Sequence, residues 1–115
     1  MKRLIQKFAP AFKGLFEGLK KDTSIQIQYG FGIVAFLVAY LMDFTAFEAI
    51  VVTILVILVI ALEYVNSALE AICDEVVKEE NDFVRKAKDY TAAAVLIVSI
   101  GALVIGILFV LNHIK

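Results

Sequence analysis

Hydrophobic and polar positions along this chain of 115 residues fall into four blocks. In the first, residues 2–20, Leu4, Ile5, Phe8, Phe12, Leu15, Phe16 and Leu19 recur at helical spacing on one face. Lys2, Arg3, Gln6, Lys7, Lys13, Glu17, Lys20 and Lys21 occupy the rest. The spacing predicts an amphipathic surface helix over about 2–21, kinked or split into two short helices at Pro10. Three long segments nearly free of charge follow, at 23–42, 49–72 and 90–112. The first and third reach the length of about 20 residues that crosses a bilayer core of roughly 30 Å. The pattern therefore predicts an all-α membrane protein of one domain, a surface helix plus three transmembrane spans at about 24–42, 49–72 and 90–112.

The middle segment is the unusual one. Its unbroken apolar run, 49–62, has only 14 residues, about 21 Å at 1.5 Å per residue. The run ends in EYVNSALEAICD, which sets Glu63, Asn66, Glu70 and Asp74 at i, i+3, i+7 and i+11, one face of a helix. If this helix spans, Glu63 lies within the membrane zone and Glu70 near its edge. A carboxylate there costs roughly 2.5–3.5 kcal/mol on insertion scales and marks a functional site by default. The third span carries small residues at Ala92, Ala93, Ala94, Ser99, Gly101, Ala102 and Gly106, which predicts close, central packing.

Composition agrees with the membrane class: 62% of residues are hydrophobic and mean hydropathy is +0.90, well above a soluble domain. The charged first 22 residues do not resemble a cleaved signal peptide. Net charge, −1, is uninformative, but its placement is not. Six of the eleven Lys/Arg precede the first span, the loop at 43–48 has none, and the second loop has Lys78, Arg85, Lys86 and Lys88. The positive-inside rule puts the N-terminus and second loop in the cytoplasm and the first loop and C-terminus outside. Lone Cys73 reads as small apolar packing, and His113 as an interfacial residue, not a metal ligand.

Three helices make a thin bundle, so shielding the polar face from lipid predicts a homo-oligomer whose polar faces meet between subunits. Carboxylates beside Arg3 and Lys88 suit Mg²⁺ and phosphate, and a deeper carboxylate suits a base acting on a lipid hydroxyl. Neither GxxxxGK[ST] nor GxGxxG occurs, so any nucleotide site is of another, membrane-assembled kind. The competing readings are an ion or proton pathway and a purely structural oligomer. Helix glue, at about 0.6–2 kcal/mol per hydrogen bond, accounts for Asn66 and Ser67 as well as function does. It gives no reason for two ionisable glutamates.

EYVNSALEAICD followed by AKDYTAAAVLI closely resembles the signature of the small bacterial membrane lipid kinases, diacylglycerol kinase and undecaprenol kinase. That signature reads E-x-x-N-[ST]-A-[IL]-E-x-x-x-D, then A-K-D-x-x-[AS]-A-A-V-L. The likeness extends over essentially the whole chain, including FKGL near the start. It implies a homotrimer in a bacterial cytoplasmic membrane, with sites shared between subunits at the cytoplasmic face and no nucleic-acid partner. It implies transfer of the ATP γ-phosphoryl group to a lipid alcohol with Mg²⁺. By position in the motif, Glu63 would be the general base supported by Asn66, and Glu70 would hold Mg²⁺ together with Asp22. Arg3, Glu79, Lys88 and Asp89 would contact ATP. The chain departs from the family pattern in three places. Asp22 stands where Glu is usual, Gln26 where a basic residue is frequent, and Glu79, Glu80 and Asn81 where the loop often reads E-Y-H. Diacylglycerol and undecaprenol remain alternative substrates.

Overall fold

A computed structural model describes residues 1–76 and 81–114. Four α-helices follow one another: α1 (Lys2–Lys21), α2 (Thr23–Leu41), α3 (Ala46–Val76) and α4 (Asp82–His113). The last three are long and apolar enough to cross a membrane. The predicted spans at about 49–72 and 90–112 lie within α3 and α4, which run on well beyond the apolar stretch, and the one at about 24–42 overlaps α2 to its last residue, Leu41. At 31 residues, α3 is about 46 Å long, so its polar end overhangs a bilayer core of about 30 Å.

Of the two outcomes expected at Pro10, the split does not occur: α1 continues through it as one helix. Proline removes one backbone donor and crowds the preceding turn. Both effects are tolerable here because residues 6–10 are exposed, leaving the freed carbonyl open to solvation. α1 ends at Asp22, whose extended backbone turns the chain (φ −101°, ψ 113°). Asp22 Oδ1 then caps α2 by accepting the Ile25 N–H at 3.1 Å. Gln26 Nε2 donates to the carbonyls of Leu19 and Lys20, both at 3.0 Å, which satisfies two acceptors at the end of α1. The residue that replaces a basic one in the family pattern is thus a helix fastener.

At the other end of α2, Asp43 adopts a left-handed backbone (φ 56°), which Asp tolerates better than most residues. Thr45 and Glu48 then form a reciprocal capping box on α3, Thr45 N–H to Glu48 Oε1 at 2.8 Å and Glu48 N–H to Thr45 Oγ1 at 3.2 Å. Asn81 Oδ1 caps α4 by accepting the Val84 N–H at 3.0 Å.

The central helix is α3, which packs against both α2 and α4. Gly32 is buried on α2, and a methyl group there would meet Val56 of α3 at 2.9 Å, so glycine permits the close crossing. On α4 no described residue is buried, and a methyl group at Gly101 or Gly106 would meet nothing within 4 Å, so within the single chain the central place belongs to α3. A chain of consecutive antiparallel helices gives the middle span two neighbours and the last span one. Ala93, Ala94, Ser99, Gly101, Ala102 and Gly106 of α4 are half-buried, and the Ser99 hydroxyl is covered.

Candidate active site

Along the polar face of α3, environment changes with every turn. Glu63 and Asn66 are buried, 5% and 8% exposed, whereas Glu70 and Asp74 are exposed. Glu63 sits against α2, where Gln28 Nε2 donates to its Oε2 at 3.4 Å, a long bond. Asn66 Nδ2 donates to Glu70 Oε1 at 3.2 Å, one turn along. Among the described residues, Asn66 Oδ1 and Ser99 Oγ are buried side-chain oxygens without a hydrogen-bond partner. Ser99 lies on α4, about 16 Å along its axis from Lys88. Asn66 Oδ1 is different, because it belongs to the carboxylate face itself. A buried acceptor left unpaired costs about 1–3 kcal/mol, so a site that keeps one has room for a donor or a cation.

At the exposed end of this face α4 contributes Lys88, whose ammonium meets Asp74 Oδ1 at 2.6 Å. Lys88 lies in the polar first turns of α4, before the apolar stretch. The Asp74 hydrogen bond holds it above the ordinary lysine range and keeps it cationic. Asp89 points elsewhere: it pairs with Arg85 at 3.1 Å, and Arg85 also reaches Asp82 at 3.8 Å. Arg3 is exposed in the first turn of α1. Asp22 spends Oδ1 on the cap of α2. Glu79 lies outside the described residues.

The single chain thus joins Glu63, Asn66 and Glu70 on one face of α3 and brings Lys88 to Asp74. It does not gather Asp22 with them, since no three His, Cys, Asp or Glu among the described residues converge as a metal site. Sequence reading missed Gln28 as the partner of Glu63. It also missed Tyr29 and Tyr64, whose hydroxyls meet at 3.2 Å one residue further along each helix. Neither pair follows from antiparallel register, in which a step forward on one helix meets a step back on the other, so no local signal pointed to them. His113, read as a lone interfacial residue, has an acid beside it after all: Nε2 lies 2.7 Å from Glu48 Oε1.

The oxygen donors of this face fit Mg²⁺, which is held by one or two carboxylates with other oxygens. Asn66 Oδ1 supplies a neutral, unpaired oxygen next to the exposed Glu70 carboxylate.

Comparison with known proteins agrees with the motif. Residues 9–110 match the family model described as prokaryotic diacylglycerol kinase. Diacylglycerol kinase of Escherichia coli (strain K12) is 28% identical over 111 residues, 96% of this chain and 91% of that protein. Undecaprenol kinase of Bacillus subtilis (strain 168) is 22% identical over 111 residues, 96% of this chain and 90% of that protein. Diacylglycerol kinase of Haemophilus influenzae is 29% identical over 94 residues, 82% and 80% of the two chains. With its motif on one helix face and a family match over nearly its whole length, this chain belongs to the prokaryotic diacylglycerol kinase family and is a lipid kinase.

Proposed function

We propose that the protein transfers the γ-phosphoryl group of ATP to the hydroxyl of a membrane lipid alcohol, diacylglycerol or undecaprenol, in an Mg²⁺-dependent reaction. The observation that carries this reading is the buried, weakly partnered Glu63 one turn from an unpaired Asn66 oxygen and two from the exposed Glu70. Glu63 has oxygen acceptor capacity to spare and takes the proton from the lipid hydroxyl. The lipid oxygen then bonds to the γ-phosphorus as the bond to the ADP oxygen breaks, and the proton remains on the Glu63 carboxyl. Asn66 keeps Glu63 and Glu70 in register on their shared face. Lys88, kept cationic, neutralises phosphate charge once ATP competes with Asp74 for its ammonium. Arg3, Glu79 and Asp89 complete the nucleotide contacts by their places in the motif. Glu70, Asn66 and Asp22 would hold Mg²⁺, which when bound supplies charge stabilisation for the transferring phosphoryl group.

The site is assembled between three copies of the chain, with the N-terminus and the segment between the second and third spans in the cytoplasm and the C-terminus outside. What supports the trimer is that no metal-binding cluster forms among the described residues of one chain, and that Gly101 and Gly106 of α4 leave open space for a neighbour. What supports the orientation is the lysine and arginine bias toward the N-terminus and second loop.

The test is phosphotransfer from labelled ATP to diacylglycerol and to undecaprenol by purified protein in lipid. A phosphorylated product from either confirms the reading and identifies the acceptor. No product from either lipid, in a folded oligomeric sample with Mg²⁺, refutes it.

A further inference from the structure

α1 is exposed along almost its whole length, and Gly18 is its one residue that is not. The reason is Tyr64 of α3. Its hydroxyl donates to the Leu15 carbonyl of α1 at 2.7 Å and meets the Tyr29 hydroxyl of α2 at 3.2 Å. The two tyrosine rings stand edge to face, centroids 6.5 Å apart, a favourable arrangement. A methyl group at Gly18 would lie 2.5 Å from Tyr64 Cε1 and 3.0 Å from Ile25 Cδ1, so only glycine leaves room for the ring. The ring cannot swing aside cheaply, because its hydroxyl is held on two helices. Tyr64 directly follows Glu63, and Tyr29 directly follows Gln28, the partner of Glu63. Two consecutive side chains of α2 therefore grip two consecutive side chains of α3, and the second grip reaches through to α1.

We propose that Tyr64, with Tyr29 and Gly18, is a positioning clasp that fixes α1 beside Glu63 and so sets the opening through which the lipid alcohol reaches that carboxylate. The proposal rests on Glu63 being the group that receives the lipid hydroxyl. Tyr64 itself touches no reacting atom in this account. It acts through the placement of α1, an otherwise lightly attached helix that is connected to the spans by Asp22, Ile25 and the Gln26 bonds. Losing the hydroxyl while keeping the ring should loosen α1 without altering the carboxylate face.

The experiment compares Tyr64→Phe, Tyr64→Ala, Gly18→Ala and Gly18→Ala/Tyr64→Ala in lipid discs. It measures amide hydrogen exchange of α1 together with kcat and the KM values for lipid and for Mg-ATP. Tyr64→Phe should speed exchange in 11–21 and raise the lipid KM about fivefold, the worth of one neutral hydrogen bond. Its kcat should stay within about twofold, since that bond touches no reacting group, and the Mg-ATP KM should rise less than the lipid KM, since Arg3 lies about 22 Å along α1 from Gly18. Gly18→Ala should disturb α1 in the native background and add nothing once Tyr64→Ala has removed the ring. Unchanged α1 exchange in both Tyr64 variants overturns the clasp, as does a Gly18→Ala effect that persists without the ring. Faster exchange with an unchanged lipid KM also overturns the proposal, leaving a helix fastener with no part in substrate access. Should Glu63→Gln retain activity, the base assignment falls, while the exchange and coupling measurements still report on α1.

Discussion

Two glutamates on α3 are buried to the same degree and treated in opposite ways. Glu48, 6% exposed, is held by two short contacts from its own chain. Its Oε1 accepts the Thr45 N–H at 2.8 Å and lies 2.7 Å from His113 Nε2, whose ring stacks on Phe44 at 5.2 Å. Phe44 in turn meets Phe109 edge to face at 5.7 Å. Glu63, 5% exposed, has one long contact from Gln28, and its neighbour Asn66 keeps an unpaired oxygen. Burial alone does not separate structure from chemistry in this protein; partnering does. A carboxylate that its own chain satisfies closes α3 onto α4 like a latch. One left under-partnered beside other oxygen groups is available to substrate.

Glu63→Gln gives the sharpest break of that comparison. It keeps size and most hydrogen-bonding capacity but removes the proton acceptor, so kcat should fall about 100-fold or more. Affinity for Mg-ATP should change little, and the fold should hold because neutralising a membrane-buried carboxylate removes a desolvation cost. Near-normal turnover in a titration of both substrates would make Glu63 as structural as Glu48. Glu70→Gln comes next. It should shift the Mg²⁺ dependence upward by about tenfold or more, the scale of one charged oxygen contact, with ATP dependence moving alongside. An Mg²⁺ curve that does not move would take Glu70 out of the metal set.

At the other end the expected loss is of stability, not rate. Glu48→Gln and His113→Ala should each lower the thermal midpoint by a few degrees, and the double variant should cost little more than either alone. Catalytic constants should remain those of the native chain, because the latch lies about 22 Å along α3 from Glu63. A selective loss of kcat with an unchanged midpoint would erase the distinction between the two ends. Gln28→Ala should do least. The bond it removes is 3.4 Å long, so kcat/KM should drop by less than about threefold, and a larger fall would show that Glu63 depends on its neighbour for orientation.

These contrasts also mark what the residues reveal in order. The spans were legible because charge-free length is itself the physical requirement for crossing a bilayer. The 63–74 face was legible because helical spacing places its members without any knowledge of neighbours. The order of depth along that face followed from the length of the apolar run, but the protein cover over Glu63 did not, since it depends on α2. The Glu48–His113 latch joins residues 65 apart and the Tyr29–Tyr64 pair residues 35 apart. Neither has a local signal, although Thr45-x-x-Glu48 carries the capping-box pattern. The small residues of α4 were read as a sign of central packing, but spacing reports that a helix can be approached closely, not which helix approaches it. Asp22, proposed as a metal ligand, also caps α2 through Oδ1, a local role that residue type alone would have predicted beside the other.

Because one unbroken α3 carries both the latch and the carboxylate proposed as the base, the chain behaves as a caliper whose jaws do not adjust. The bilayer has to adjust instead, by thinning, thickening or tilting the helix, at fractions of a kcal/mol per Å. Lipids with longer acyl chains would draw Glu63 deeper beneath the headgroups, and shorter ones would lift it toward water. Turnover measured in bilayers of graded chain length should therefore pass through a maximum, and a flat response would mean that the reacting carboxylate does not keep station with the helix. Membrane thickness would then act as a setting on the enzyme that no residue of the site has to sense.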